Sequence, residues 1–335
     1  MTRDPLIFGL GCTATLLALS VVVLGAWVRL SDAGLGCPDW PGCYGQLAAP
    51  TGPEIERANA AYPERPVEVG KAHREMVHRY AAGTLGLLIL ALAAVALRRR
   101  QRVGMGLPLA LLALVVFQSV LGMWTVTLLL KPLVVLAHLL GGLTILALLA
   151  WLTLSHAPRR PVWPGSPYLH RFAMISLGVL IVQISLGGWT STNYAALACT
   201  DLPTCQGQWW PQTDFASAFV PWHGLGIDYE GGILDGPART AIHLSHRIGA
   251  VVASLVIAAL ALACYRWGRV PGVRGAGLGL LALLLLQVGL GLANVVWLLP
   301  LPVATAHNGG AALLLLAHVA ILRRLTSDQS GRHPL

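Results

Sequence analysis

Four histidines in this sequence are spaced as metal ligands would be. His78, His138, His246 and His307 each fall in the opening turns of a long apolar stretch, and the separations within the two pairs, 60 and 61 residues, agree. A single histidine in an apolar helix is ordinarily a helix–helix hydrogen-bonding residue. Four at equivalent depth, paired at equal spacing, point to ligation instead. Two imidazoles on facing helices can supply both axial bonds to a haem iron, which gives a low-spin, coordinatively full centre suited to electron transfer. Zinc fits less well, because the cysteines stand in loops away from these imidazoles and no second ligand cluster accompanies either pair.

The residues beside the histidines divide the pairs. Glu75 precedes His78 by one helical turn and shares its face, whereas the equivalent position before His246 is His243. A carboxyl group near an apolar interior is costly and is a functional candidate by default; the structural alternative is an ion pair with Arg74, Arg79 or Lys71. Arg79 and Arg247 follow His78 and His246 directly and are candidates for haem propionates or for lipid phosphates. The carboxyl group assigns chemistry to the first pair and electron supply to the second. Cys37/Cys43 and Cys199/Cys205 lie six residues apart in loops, a spacing that a disulfide can close in an oxidising compartment. Cys12 and Cys264 lie within apolar stretches and read as small buried residues.

Long helices must carry these groups. With 335 residues, 56% hydrophobic and 11% charged, and a mean hydropathy of +0.67, the composition is that of a lipid-embedded chain. Eight stretches are long enough to cross a bilayer: roughly 6–28, 76–97, 105–130, 132–155, 172–190, 240–265, 275–299 and 301–322. The formal charge of +9 does not indicate nucleic acid, because the basic residues sit in short loops between spans. Arg98, Arg99, Arg100 and Arg102 follow the second span, Arg159, Arg160 and Arg171 the fourth, Arg266, Arg269 and Arg274 the sixth, and Arg323 and Arg324 the eighth. These loops and both termini are therefore expected in the cytoplasm. The acid-rich loops 29–71 and 191–239 are expected outside, with the four imidazoles roughly 10 Å below the outer face. The first span ends at Arg29 and a long loop rather than at a small-residue cleavage site, and reads as a retained helix.

The chain is internally duplicated. Residues 25–46 align without a gap to residues 187–208 with ten identities in 22 positions, including Trp27/Trp189, both cysteine pairs and Gln46/Gln208. The match continues through His78-Arg79 and His246-Arg247, Ala137-His138 and Ala306-His307, and Gln118 with Leu121-Gly122 against Gln287 with Leu290-Gly291. Four spans per repeat is an even number, so both halves enter the membrane in the same sense, related by an axis along its normal. The expected fold is all-α and polytopic. Its eight transmembrane helices form two pseudo-twofold-related four-helix bundles, residues 1–160 and 161–335, each with its own haem site capped by an outward loop.

The segments EMVHRYAAGTLG (75–86), CPDWPGC (37–43), AHLLGG around His138, HLSHRIGA around His246 and AHNGGA around His307 together resemble the haem A synthase family over nearly the whole chain. Members oxidise a ring methyl of haem O to a formyl group in oxygen-dependent steps, in the bacterial cytoplasmic or mitochondrial inner membrane. The resemblance implies that Glu75 is the essential carboxylate, that His78 and His138 are axial residues of the haem O substrate site, and that His246 and His307 ligate a haem b cofactor. Cys37 and Cys43 match the family's paired loop cysteines. Cys199 and Cys205 match a second pair found in some members, which points to a bacterial type. The resemblance carries no role over to His243.

The expected partners are haem O, molecular oxygen, an unidentified electron donor, the lipid bilayer and, as a contact, a haem O synthase. Two rival readings are a di-haem b-type cytochrome carrying electrons from quinol, and a thiol-oxidising membrane protein with structural histidines. Glu75 disfavours the first, and the absence of a C-x-x-C motif disfavours the second.

Overall fold

The computed structural model describes residues 3–100, 104–158, 163, 167–266 and 272–326. Arg102, Arg159, Arg160 and Arg269 of the basic loops lie outside the described residues. The helices, in chain order, are α1 Pro5–Leu30, α2 Glu54–Ala61, α3 Val69–Arg98, α4 Gly106–Thr127, α5 Pro132–His156, α6 Pro167–Thr192, α7 Phe215–Ala218, α8 Gly236–Arg266, α9 Val273–Val296 and α10 Leu301–Thr326. All but α2 and α7 are long and apolar enough to cross a membrane, eight spans in all. Among the described residues there are isolated β-bridges but no strand. The chain is an all-α, multi-pass membrane protein.

Every expected span is a helix, and the differences in their ends have physical causes. Helix α3 starts at Val69 rather than near 76, and α8 at Gly236 rather than near 240. Their first turns carry Lys71, His73, Arg74 and Arg239, which depress hydropathy without opposing helix formation. Helices α4 and α9 end three residues short of the apolar run. The chain turns there through Leu129 and Leu130, and through Leu298 and Leu299, all at positive φ of 51 to 63°. Hydropathy cannot tell such leucines from helical ones. The turns allow the next helices to begin directly, α5 with Pro132 in its first turn, where a missing N–H costs nothing.

The long helices are apolar on all sides. Leu16, Leu87, Leu255 and Leu285 are each at least 64% exposed, as side chains facing lipid are. Smaller and branched residues face inward: Ile7, Ala14, Ala18, Ile89, Leu146, Leu149, Ile257, Leu260 and Ala312 belong to one buried cluster. Helix α1 packs on α3 and α5, and α4 closes against the same two; α6 packs on α8 and α10, and α9 closes against those. Helix α10 also touches α1 and α5, and α5 touches α6, which joins the two sets.

At the end of the molecule opposite the long loops, Asp4 caps α1 by accepting from the N–H groups of Leu6 and Ile7. The same carboxylate pairs with Arg99 at 2.6 Å, which holds it below the usual carboxylate range. His156 accepts from the Asp4 N–H at 3.1 Å, and His318 meets Ser176 at 2.9 Å. Both histidines are held by the fold, away from the four singled out above.

Candidate functional site

The four imidazoles share one local arrangement. A Cβ placed on Gly25 of α1 would come 3.0 Å from Cε1 of His78, and one on Gly122 of α4 would come 3.2 Å from Cε1 of His138. Gly187 of α6 stands likewise to His246 at 3.0 Å, and Gly291 of α9 to His307 at 3.2 Å. Each ring edge is therefore set against a helix backbone that only glycine lets approach so closely. His78 and His138 line one apolar cavity of ≈ 960 Å³, at the upper end of the roughly 300–1,000 Å³ usual for small-molecule sites. Glu75, Arg79, Arg29 and Gln118 also line it. His246 and His307 interact electrostatically with each other across α8 and α10. The Nδ1 atoms of His78, His138 and His307 are buried without a hydrogen-bond partner. The buried, unpaired imidazole nitrogens of His78 and His138 and a cavity of this size fit an iron porphyrin.

Glu75 is 4% exposed and uses both oxygens. Oε2 accepts from the Cys37 N–H at 2.8 Å, and Oε1 pairs with Arg79 Nη2 at 2.5 Å. Arg79 in turn donates from Nη1 to the carbonyls of Asp39, Pro41 and Gly42. The second half repeats this clamp with a different residue at its centre. The Cys199 N–H donates to Nδ1 of His243 at 3.2 Å, and Arg247 donates to the carbonyls of Cys199, Asp201 and Thr204. Arg247 Nε lies 3.4 Å from His243 Nε2, but a neutral imidazole accepts at one nitrogen only, so the shorter contact to Cys199 is the hydrogen bond. His243 thus performs the loop-holding part of what Glu75 does, without a carboxylate. Arg79 and Arg247, read from sequence as facing propionates or lipid, have their donors turned to loop carbonyls.

The loops so held are closed by disulfides, Cys37–Cys43 and Cys199–Cys205, each with a Cα–Cα distance of 4.7 Å. In each, an aspartate gathers the turn: Asp39 accepts from the N–H groups of Tyr44 and Gly45, and Asp201 from those of Gln206 and Gly207. The Thr204 hydroxyl and these N–H groups hold the Asp201 carboxyl at about 2, so its stabilising charge persists above the ordinary carboxylate range and fades only as pH falls towards 2. All four sulfurs are buried. Alkylating the isolated protein without reductant is therefore expected to leave these four cysteines unmodified by mass spectrometry. Labelling of all four would remove the clamp, and labelling of one pair alone would identify it as a cycling redox couple.

The loop between α7 and α8 reaches across to the first half. Tyr229 donates its N–H to the Leu129 carbonyl at 3.1 Å and packs with Leu35, Val126 and Leu130. Lys131, 1% exposed, donates to the Gly224 carbonyl at 2.6 Å, and Arg65 pairs with Asp228 at 2.5 Å and Glu230 at 3.1 Å. Arg29 donates to the carbonyl of Ser191, its own counterpart in the repeat, at 2.7 Å.

Sequence reasoning did not find Gly25, Gly187, Lys131 or the role of His243. A usable signal was present, since Leu-Gly recurs in all four helices that face an imidazole: Leu24-Gly25, Leu121-Gly122, Leu186-Gly187 and Leu290-Gly291. The repeat pairs Gly25 with Gly187 and Gly122 with Gly291, but only the fold shows that all four play one part.

Residues 9–319 match the family model described as cytochrome oxidase assembly protein. A haem A synthase of Shewanella oneidensis is 48% identical over 306 residues, covering 90% of this chain and 92% of its own. Haem A synthases of Granulibacter bethesdensis and Caulobacter sp. strain K31 are each 27% identical, over 93% and 89% of this chain and 85% and 90% of theirs. The family match takes in α3 to α9 whole and most of α1 and α10, and the chain belongs to the cytochrome oxidase assembly family that contains the haem A synthases.

Proposed function

We propose that this chain is an oxidoreductase that converts haem O to haem A, with haem O bound between His78 and His138 and a resident haem b bound between His246 and His307. The observation that carries this reading is the pairing of four glycine-backed imidazoles with a single carboxylate, Glu75, in the wall of the first cavity. Residues 1–160 form the substrate half and residues 161–335 the cofactor half, related by a pseudo-twofold axis along the membrane normal.

The haem b supplies one-electron transfer when bound, and molecular oxygen is the oxidant. The chain's own residues do the rest. His78 and His138 orient the substrate ring, and the apolar wall excludes water. Turning a ring methyl into a formyl group with molecular oxygen and donor electrons consumes protons as oxygen is reduced to water, and Glu75 is the ionisable carboxyl in the cavity wall that would relay them. Arg29, whose Nε is buried without a partner in the wall of the first cavity, is the guanidinium that would meet a propionate, while Arg79 and, in the second half, Arg247 contribute positive charge there with their donors spent on the loop carbonyls. The setting is a bacterial cytoplasmic membrane, with both termini cytoplasmic and both haem sites toward the outer face. Substrate arrives from a haem O synthase, and the electron donor awaits identification.

Incubating membranes containing the protein with haem O and oxygen, followed by porphyrin extraction, tests this directly. Haem A should appear, beside protohaem. Extraction of two equivalents of protohaem with no haem A from added haem O would make the chain a di-haem b cytochrome. Extraction of no porphyrin would favour thiol oxidation.

A further inference from the structure

The wall of the first cavity does not stop at the inside of the bundle. Along α3 it runs from His78 round to Tyr80, Gly83, Leu87 and Leu90, and along α4 it takes in Val116 and Ser119. These residues lie on outward faces: Leu87 is 68% exposed and Val116 60%, and their counterparts in the repeat, Leu255 and Leu285, face lipid to a similar degree. A cavity bounded by lipid-facing side chains of two neighbouring helices is open between them. From Tyr80 to Leu90 the opening is ~15 Å tall. Its outer end is closed where the Tyr80 hydroxyl donates to the Leu47 carbonyl at 2.5 Å.

Two features of the sequence make this opening. In the second half α9 lies directly on α8, because Gly277 lets the backbones meet: a Cβ there would come 2.5 Å from the Ala261 carbonyl oxygen and 3.0 Å from Cβ of Cys264. Counting back from Gln118 and Gln287, the repeat places Pro108 of α4 where Gly277 stands, and a pyrrolidine ring cannot enter that space. Helices α3 and α4 accordingly meet less extensively than α8 and α9. The second feature is Gly83 with Gly86, which line the opening and whose counterparts are Val251 and Ser254. A Cβ on either glycine would meet nothing within 4 Å. Glycine inside a helix costs ~0.5–1 kcal/mol relative to alanine, and here no neighbouring backbone requires it. What the two glycines preserve is width.

We infer that haem O enters and leaves the first half sideways, from the bilayer through the slot between α3 and α4, and that the contact of α9 with α8 denies the resident haem the same exit. The occupant follows from the continuity of the slot with the cavity of His78 and His138. It follows also from chemistry, since a flat, largely apolar macrocycle dissolves in lipid and passes edge-on through a tall apolar slot. Approach from water is covered by the loop that Glu75 holds at Cys37 and by the loop that Lys131 holds at Gly224.

This inference rests on the haem O reading above, and its test separates the two. Leu87→Cys/Val116→Cys, two lipid-facing changes that leave His78, His138 and Glu75 intact, is purified with its resident haem, reconstituted into vesicles and bridged across the slot with a short bis-thiosulfonate. The parent, which has Cys12 and Cys264 only as free thiols, receives the same treatment. Uptake of haem O added to the vesicles and its loss to excess empty vesicles are followed by absorbance and by porphyrin extraction. Bridging the empty protein should slow uptake by ~10-fold or more, and bridging the loaded protein should slow loss equally while the haem O stays bound. Gly83→Phe, which fills the slot without a reagent, should slow both rates by a like factor and leave the equilibrium affinity unchanged. Parent rates in the bridged protein and in Gly83→Phe, or expulsion of haem O on bridging, would overturn the lateral route while leaving the haem O site standing. A parent that takes up no haem O overturns both.

Discussion

Glu75→His is expected to abolish formation of haem A while leaving the haem at His246 and His307 with an unchanged low-spin spectrum. The second half already uses histidine at the centre of the same clamp, where His243 receives the Cys199 N–H. The substitution therefore keeps an acceptor for the Cys37 N–H and removes only the carboxylate. Glu75→Ala is a poorer probe, because it also leaves the buried Cys37 N–H without its acceptor, a loss of ~1–3 kcal/mol. Loss of activity there would mix a broken loop with lost chemistry. Glu75→Gln, which accepts a hydrogen bond but does not ionise, should also fail if proton transfer is the role. Haem A formation at the parent rate in Glu75→His and Glu75→Gln, measured by extraction and chromatography, would reduce Glu75 to a structural ion pair.

The second large effect is loss of the resident haem. His246→Ala and His307→Ala should each purify without the low-spin b-type spectrum, because neither lipid nor the surrounding apolar side chains can replace an axial imidazole. His78→Ala and His138→Ala should retain that spectrum and lose haem O binding, since neither His246 nor His307 lines their cavity, whose wall is mainly α1, α3, α4 and α5 with Gly188, Ser191 and Thr192 of α6 and Asn308 of α10. If both second-half variants keep the parent spectrum, the cofactor is bound elsewhere and the division of labour between the halves is wrong.

The helices and the imidazoles were legible in the sequence for related reasons. Apolar stretches of bilayer length announce themselves without tertiary information, and an internal duplication turns four scattered histidines into two equivalent pairs. The ends of α3 and α8 were not legible, because their polar first turns pack on loops rather than on lipid. The place of His243 was hidden by chemistry: glutamate and imidazole look unrelated in a sequence, yet each can receive one cysteine N–H. The direction of Arg79 and Arg247 was equally hidden. A guanidinium at a helix's outer end has lipid phosphate, propionate or backbone carbonyl within reach, and only the fold of the cysteine loops decides among them.

The loop between α7 and α8 lies over the first half, tied there by Tyr229, Lys131 and Arg65. During translation, α1, α3, α4 and α5 leave the ribosome complete with His78, His138 and Glu75, yet the loop that ties across their outer end, Gly224–Glu230, begins 68 residues after α5 ends at His156. A chain arrested after residue 160 would therefore be a membrane bundle with both imidazoles and the carboxylate present but without this cover and without Gly188, Ser191, Thr192 and Asn308, which complete the cavity wall. Co-expressing the two halves as separate polypeptides should restore the cover, because the ties are made between side chains and backbone rather than through the connecting chain. The dependence runs one way along the gene, and the substrate half becomes enclosed only when the cofactor half has been made.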